Sequence, residues 1–147
     1  MLFVTTLGSA SGQSKYVKKY RPVADSLSAV YGIPASLILG VAIIESGSGT
    51  SKNAKRLNNH FGIAGKNKLG KTKGASSRYK QYPNVMASYA DFCRMITRKK
   101  YYSKLKGTKD YRPWINALAK GGYSEIPAEW KKRITATIKK NKLSATY

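Results

Sequence analysis

Eight consecutive residues, Leu37-Ile38-Leu39-Gly40-Val41-Ala42-Ile43-Ile44, carry no polar side chain, and the next is Glu45. A helix that is apolar all round has no face to give to water, so it must run through the middle of a domain with other elements on every side. The pattern predicts such a central helix from about Pro34, whose fixed φ suits a first turn, to Glu45 or Ser46. Ser46-Gly47-Ser48-Gly49-Thr50-Ser51 ends it and is expected to expose its last turn. The chain holds six Asp and Glu against 28 Lys and Arg, and the next carboxylate after Glu45 is Asp91. A carboxyl group partly withdrawn from water keeps its proton more tightly, because desolvation disfavours the charged form. Such a group is a general acid near neutral pH. A structural Glu paired with Arg or Lys is the other reading of the same residue.

Other segments supply the surroundings. Val17, Tyr20, Val23, Ala24, Leu27, Val30 and Tyr31 fall at helical spacing, which predicts a helix over 15–31 stopped by Gly32. Residues 52–80 hold nine Lys or Arg, no acid and glycines at 62, 65, 70 and 74, and read as a loop or small irregular β-hairpin. Asn84 is a candidate N-cap for a helix with Val85, Met86, Tyr89, Phe92, Cys93 and Ile96 as its apolar stripe. Asp91 is expected on the solvent side of that helix. A basic turn, Arg98-Lys99-Lys100, follows. Tyr111, Trp114, Ile115 and Leu118 mark a short helix closed by Gly121-Gly122. Pro127 opens a last helix with Trp130, Ile134 and Ile138 on one face, Glu129 in its first turn and Lys139-Lys140 in its last, as the helix dipole favours. There is no internal repeat. The architecture expected is mainly helical with one basic excursion.

A length of 147 residues suits one domain with a real core. The N-terminal stretch 1–14 has no charged side chain, ends rich in Gly and Ser, and is expected to be a flexible segment before a domain at 15–147. It carries no convincing export signal, and no run reaches transmembrane length. A net charge of +22 points to a polyanionic partner such as nucleic acid, an anionic membrane surface or an envelope polymer. Cys93 is the sole cysteine and His60 the sole histidine. An internal disulfide is excluded, a zinc site is disfavoured, and Cys93 reads as a buried structural thiol. No metal or other cofactor is expected.

Three segments carry a family resemblance. The first is Tyr31-Gly32-Ile33-Pro34-Ala35-Ser36-Leu37-Ile38-Leu39 running into Glu45-Ser46-Gly47-Ser48-Gly49-Thr50-Ser51. The second is Asn58-Asn59-His60-Phe61-Gly62-Ile63. The third is Arg78-Tyr79-Lys80-Gln81-Tyr82-Pro83 followed by Ser88-Tyr89-Ala90-Asp91-Phe92, with Gly121-Gly122-Tyr123 beyond. In this order the chain, over roughly 15–138, resembles the peptidoglycan N-acetylglucosaminidases of glycoside hydrolase family 73. The resemblance implies an α+β, mainly α, lysozyme-like fold, with a helical lobe and a small, reduced β-hairpin lobe flanking a cleft. It implies hydrolysis of the GlcNAc-β-1,4-MurNAc bond of bacterial cell walls, with Glu45 as catalytic acid and Tyr123 in support. It further implies Ser46, Asn58, Asn59, Phe61, Tyr79 and Tyr82 as substrate-binding residues. Chemically, a leaving sugar oxygen needs a proton that Glu45 can give. Asn amides can bond acetamido and hydroxyl groups, and aromatic rings can stack on sugars. Read without the resemblance, Asn58-Asn59 is a turn or cap, Phe61 is core and Tyr123 a helix-end contact.

One departure bears on mechanism. Family members often carry a second acid on the hairpin, but Ala64–Ser77 holds none. Paired-acid glycosidases place their carboxylates about 5 to 9.5 Å apart. Of the acids left, Glu125, two residues after Tyr123, is the best-placed second carboxylate. A one-carboxylate mechanism is preferred, in which the substrate's N-acetyl oxygen stabilises the anomeric carbon. A muramidase or lytic transglycosylase is the alternative on the same strands, and an inactive wall-binding relative is a third. A basic nucleic-acid-binding protein is the alternative from another class, supported by charge and by tyrosines among lysines. The expected partners are glycan strands and anionic envelope polymers, with no specific nucleic acid, no membrane span and a monomeric state. The cell wall or periplasm is the expected site of action, with phage-encoded release by lysis as one route.

Overall fold

A computed structural model describes residues 10–69 and 78–144. Its framework is helical. Helix α1 spans Ala10–Tyr31 and α2 spans Ala35–Ser46. After short α3 (Lys52–Leu57) and the hairpin segment come α4 (Val85–Thr97) and short α5 (Tyr102–Leu105). Helices α6 (Tyr111–Lys120) and α7 (Pro127–Lys140) complete it. No described helix is long and apolar enough to cross a membrane.

Helix α2 is the axis. Leu37, Ile38, Leu39, Val41 and Ala42 are wholly buried, and α1, α4, α6 and α7 all pack on it. The absence of a polar face thus has its physical answer, since each side of the helix meets a neighbour. Gly40 sets the approach of α7. A Cβ at Gly40 would sit 2.8 Å from the Ile138 side chain, so any larger residue would have to displace Ile138. Trp114, Trp130, Ile134, Phe61, Phe92 and Tyr89 fill the remaining core. Cys93 lies in this core, where burial pushes its thiol up to about 12, which makes it inert.

Helix starts follow local chemistry. The Asn84 side chain accepts from Ala87 N, Ser51 from Ala54 N and Asp110 from Arg112 N, each satisfying a donor that the first turn leaves without a partner. Among the described residues the hairpin segment forms one isolated antiparallel bridge, Ala64 with Tyr79. Gly65 N donates to Arg78 O and Lys80 N to Ile63 O on either side of it. Residues 1–9, 70–77 and 145–147 lie outside the described residues.

Three expectations change. Residues 10–14, expected in a flexible segment, begin α1. Lys52–Leu57, expected as loop, is a helix whose Ala54 and Leu57 face inward. Asp91 is buried rather than on the solvent side. The returning hairpin covers it, with Tyr82 donating at 2.6 Å and Lys80 Nζ at 3.0 Å to its Oδ2. Burial alone would raise the Asp91 carboxyl, but these bonds, together with the Lys80 and Arg94 charges, hold it below its ordinary range.

Candidate active site

The turn after Glu45 is tied down residue by residue. Gly47, Ser48 and Gly49 all have positive φ, at 55°, 55° and 81°. Gly47 N and Ser48 N both donate to Ile43 O, which closes the helix in a left-handed cap. The Ser46 hydroxyl donates to Ala42 O and accepts from Gly49 N. A Cβ on Gly49 would press on the His60 and Tyr16 rings at 3.3 and 3.4 Å. Ser51 then caps α3. Ser46 and Gly47 are buried, so the helix end is covered rather than open.

Glu45 itself is partly buried. Trp130 Nε1 donates to its Oε1 at 2.7 Å from α7. Burial lifts the Glu45 carboxyl to about 7, a rise that the Trp130 hydrogen bond and the Arg133 charge only moderate. Tyr123 stands beside this pair, its ring 5.3 Å from that of Trp130. Its hydroxyl donates to Phe61 O at 2.6 Å. Burial and the nearby Glu45 push the phenol well above its ordinary range, so it stays a neutral donor. What results is a carboxylic acid that keeps its proton near neutral pH, walled by two aromatic rings.

Behind the turn lies a second polar group. Tyr16 Oη is 2.6 Å from both His60 Nδ1 and Tyr89 Oη. Burial, aided by the Lys19 charge, lowers His60 to about 4, so the imidazole is neutral. Among the described residues no cluster of His, Cys, Asp and Glu could hold a metal ion.

The predicted substrate-binding residues divide by burial. Phe61 is 0% exposed and stacks on Phe92 at a centroid distance of 4.4 Å, so no sugar can stack on it. Buried Asn59 donates to Ile63 O and Lys80 O and accepts from Phe61 N and Ile63 N. Asn58 adopts a left-handed cap and donates to Tyr82 O. Ser46 is committed to the turn, and the Tyr82 hydroxyl to Asp91. For Phe61, Asn59 and Ser46, all at most 1% exposed, burial replaces the expected sugar contact with a framing role, while Asn58 is partly buried and Tyr82 lines a cavity on the hairpin. Tyr79 is partly buried on the hairpin, with the Arg78 guanidinium 5.4 Å from its ring centroid. Glu125 is exposed on the segment between α6 and α7. The Arg78 guanidinium, raised first by the Tyr79 hydroxyl, also feels the Glu125 charge, which places Glu125 within electrostatic reach of the hairpin.

Two cavities open nearby. One, of about 420 Å³, has Tyr123, Ile63, Met95 and Arg98 among its lining. The other, of about 380 Å³, lies between Lys66 and Pro83 on the hairpin. Glu45 lines neither, and Tyr123 joins its group to the first.

A family model for glucosaminidase, described as mannosyl-glycoprotein endo-beta-N-acetylglucosaminidase, matches residues 21–143. The chain belongs to the glucosaminidase family. That match spans Glu45, the hairpin, Tyr123 and Trp130, and it bears out the family 73 resemblance. Exo-glucosaminidase LytG of Bacillus subtilis strain 168 is 26% identical over 145 residues, covering 87% of this chain and 51% of LytG. The chain thus spans about half the length of this curated relative. Among solved structures, the catalytic domain of the autolysin Auto from Listeria monocytogenes superposes with a TM-score of 0.73 at 19% identity, over 95% of this chain and 90% of that one. A mutant peptidoglycan hydrolase from Sphingomonas sp. A1 superposes with a TM-score of 0.68 at 25% identity, over 88% and 95%. The glucosaminidase fold is therefore mainly α and lysozyme-like, as expected.

Sequence reasoning missed Trp130 and Arg133 as neighbours of Glu45. Trp130 was legible only as a core residue. Its indole N–H is the available signal, since a buried tryptophan needs an acceptor for it.

Proposed function

We propose that this glucosaminidase domain is a cell-wall hydrolase that cleaves the β-1,4 bond between GlcNAc and MurNAc in peptidoglycan strands. The observation that carries this is the Glu45 carboxyl, lifted to about 7 at the end of α2 and aligned by Trp130. Glu45 protonates the glycosidic oxygen as the anomeric C–O bond breaks, and the leaving sugar departs as a neutral alcohol. The acetamido oxygen of the same GlcNAc closes on the anomeric carbon. Water then opens that ring, giving its proton back to the Glu45 carboxylate. A single carboxylate suffices for this sequence, which fits a hairpin interval without an acid. Tyr123 supports the step by shielding the acid, and Tyr79 faces the strand from the hairpin. Glu125 is the place to look for a second acid.

The domain acts as a monomer at the bacterial wall, where its +22 charge draws it to anionic envelope polymers. The family description names an endo enzyme and the Bacillus relative an exo enzyme. Internal cleavage is the mode proposed here. Digestion of purified walls, borohydride reduction and mass spectrometry tests all of this at once. Long fragments with reducing GlcNAc ends are expected. Reducing MurNAc ends would make the domain a muramidase, anhydro-MurNAc ends a transglycosylase, and release of single sugars an exo enzyme.

A further inference from the structure

The cavity beside Tyr123 differs in character from the acid's own surroundings. Its interior is apolar, with Ile63, Met95 and Leu118, and its rim carries Arg98 and Lys99 from the turn after α4. No acid lines it. Among the described residues, three of the six carboxylates are held in ion pairs elsewhere. Arg21 holds Asp25, Lys80 and Arg94 hold Asp91, and Arg112 holds Asp110. Among the described residues neither Arg98 nor Lys99 takes part in an ion pair. Two adjacent cations over an apolar pocket, with no protein anion to neutralise them, suit a ligand bearing a carboxylate next to a methyl group. The position is telling. Tyr123 forms one wall of the cavity and also packs on Trp130, which bonds the Glu45 carboxyl.

In a strand of alternating GlcNAc and MurNAc, one of the two sugars at every scissile bond bears a lactyl ether. That ether carries a methyl group and either a free carboxylate or a peptide with carboxylates of its own. We infer that Arg98 and Lys99 form a carboxylate subsite that reads the MurNAc substituent, with the apolar floor receiving its lactyl or alanyl methyl group. This rests on the glycan-strand reading above and makes the domain selective for acidic wall strands over neutral glycans.

Three soluble substrates test it: strands with stem peptides, strands stripped of them by an amidase, and stripped strands amidated with carbodiimide and ammonia to remove the lactyl charge. The intact domain is expected to show a KM about tenfold lower on a carboxylate-bearing strand than on the amidated one, the scale of one charge-assisted contact. Arg98→Gln with Lys99→Gln is expected to erase that ratio while kcat on the amidated strand is unchanged. Arg98→Lys with Lys99→Arg should retain most of it. Lys139→Gln with Lys140→Gln removes the same charge from the end of α7 and should keep the full ratio. A preference confined to stem-bearing strands names the peptide carboxylate as ligand, and one that persists on stripped strands names the lactyl carboxylate. If the double glutamine variant does not fold, Lys99→Gln alone provides the same comparison. An unchanged ratio in the glutamine variant, an equal loss in the α7 control, or no preference in the intact domain overturns the subsite. Failure to cleave any of the three strands instead overturns the hydrolase reading.

Discussion

Trp130 Nε1 donates to Glu45 Oε1 at 2.7 Å, joining residues 85 positions apart in the chain. An indole N–H stabilises the carboxylate over the acid, and therefore works against the burial that keeps Glu45 protonated. The acid is a balance between these two, which makes it tunable from α7.

Glu45→Gln tests the balance at its centre. The amide keeps the shape and can accept from Trp130, but has no proton to give. Wall cleavage should fall at least about 100-fold, the lower range for general acid catalysis, with circular dichroism unchanged. Activity near the parent level in a folded variant would remove Glu45 from the mechanism.

Trp130→Phe deletes the donor and keeps an aromatic ring. The Glu45 carboxyl should then rise further, because burial is no longer opposed. The alkaline limb of the kcat profile, which reports loss of the acid's proton, should move to higher pH. A limb that stays put or moves down would show that the indole does not bear on the acid.

Glu45 and His60 leave opposite marks on stability. Glu45 rises from 4.5 to about 7 on folding, so its contribution is complete below pH 4.5 and is lost as pH climbs through 7. His60 drops from 6.5 to about 4, so its contribution is complete above pH 6.5 and is lost as pH falls through 4. Each effect amounts to about 3 kcal/mol. Between about pH 4.5 and 6.5 they cancel, and the parent should show a nearly flat stability there. Glu45→Gln should uncover a stability that rises with pH across that window, and His60→Gln one that falls. Urea melts at pH 4.5, 5.5 and 6.5 on the three proteins read this directly. Parallel curves would refute both assignments.

Asp91→Asn should cost about 1–3 kcal/mol, since it weakens the Lys80 ion pair and the Tyr82 hydrogen bond at a buried carboxylate. Its activity at a temperature where it stays folded should exceed that of Glu45→Gln by far. Thermal melts together with wall clearing separate the two effects. A loss as deep as that of Glu45→Gln in a stable protein would make Asp91 part of the chemistry.

The frame of the domain was readable because α2 allowed one solution: a helix without a polar face has to be central, and Glu45 has to sit at its end. Asn84 and Pro127 likewise announced their helices through capping chemistry. Helix α3 was hidden because Ala54 and Leu57 are its only buried positions among basic neighbours, too few to set a period. The face of Asp91 was misjudged because the covering element, Lys80 to Tyr82, reaches it from a hairpin rather than from a helix. Asn59 and Phe61 show a deeper limit. An amide that buttresses a turn and one that binds a sugar are the same residue, and only its burial separates them. Trp130 was out of reach for a related reason, since nothing near Glu45 in sequence names a partner on α7.

The Gly40 and Ile138 contact seats α7 against α2, and through it Trp130 over Glu45. During synthesis, the ribosome must complete α7 before the acid is shielded. Until then the Glu45 carboxyl lacks the Trp130 N–H and the wall that Trp130 forms beside it. Helix α7 is thus the element on which the protonation of Glu45 turns, although its Trp130 lies 85 residues away in the chain.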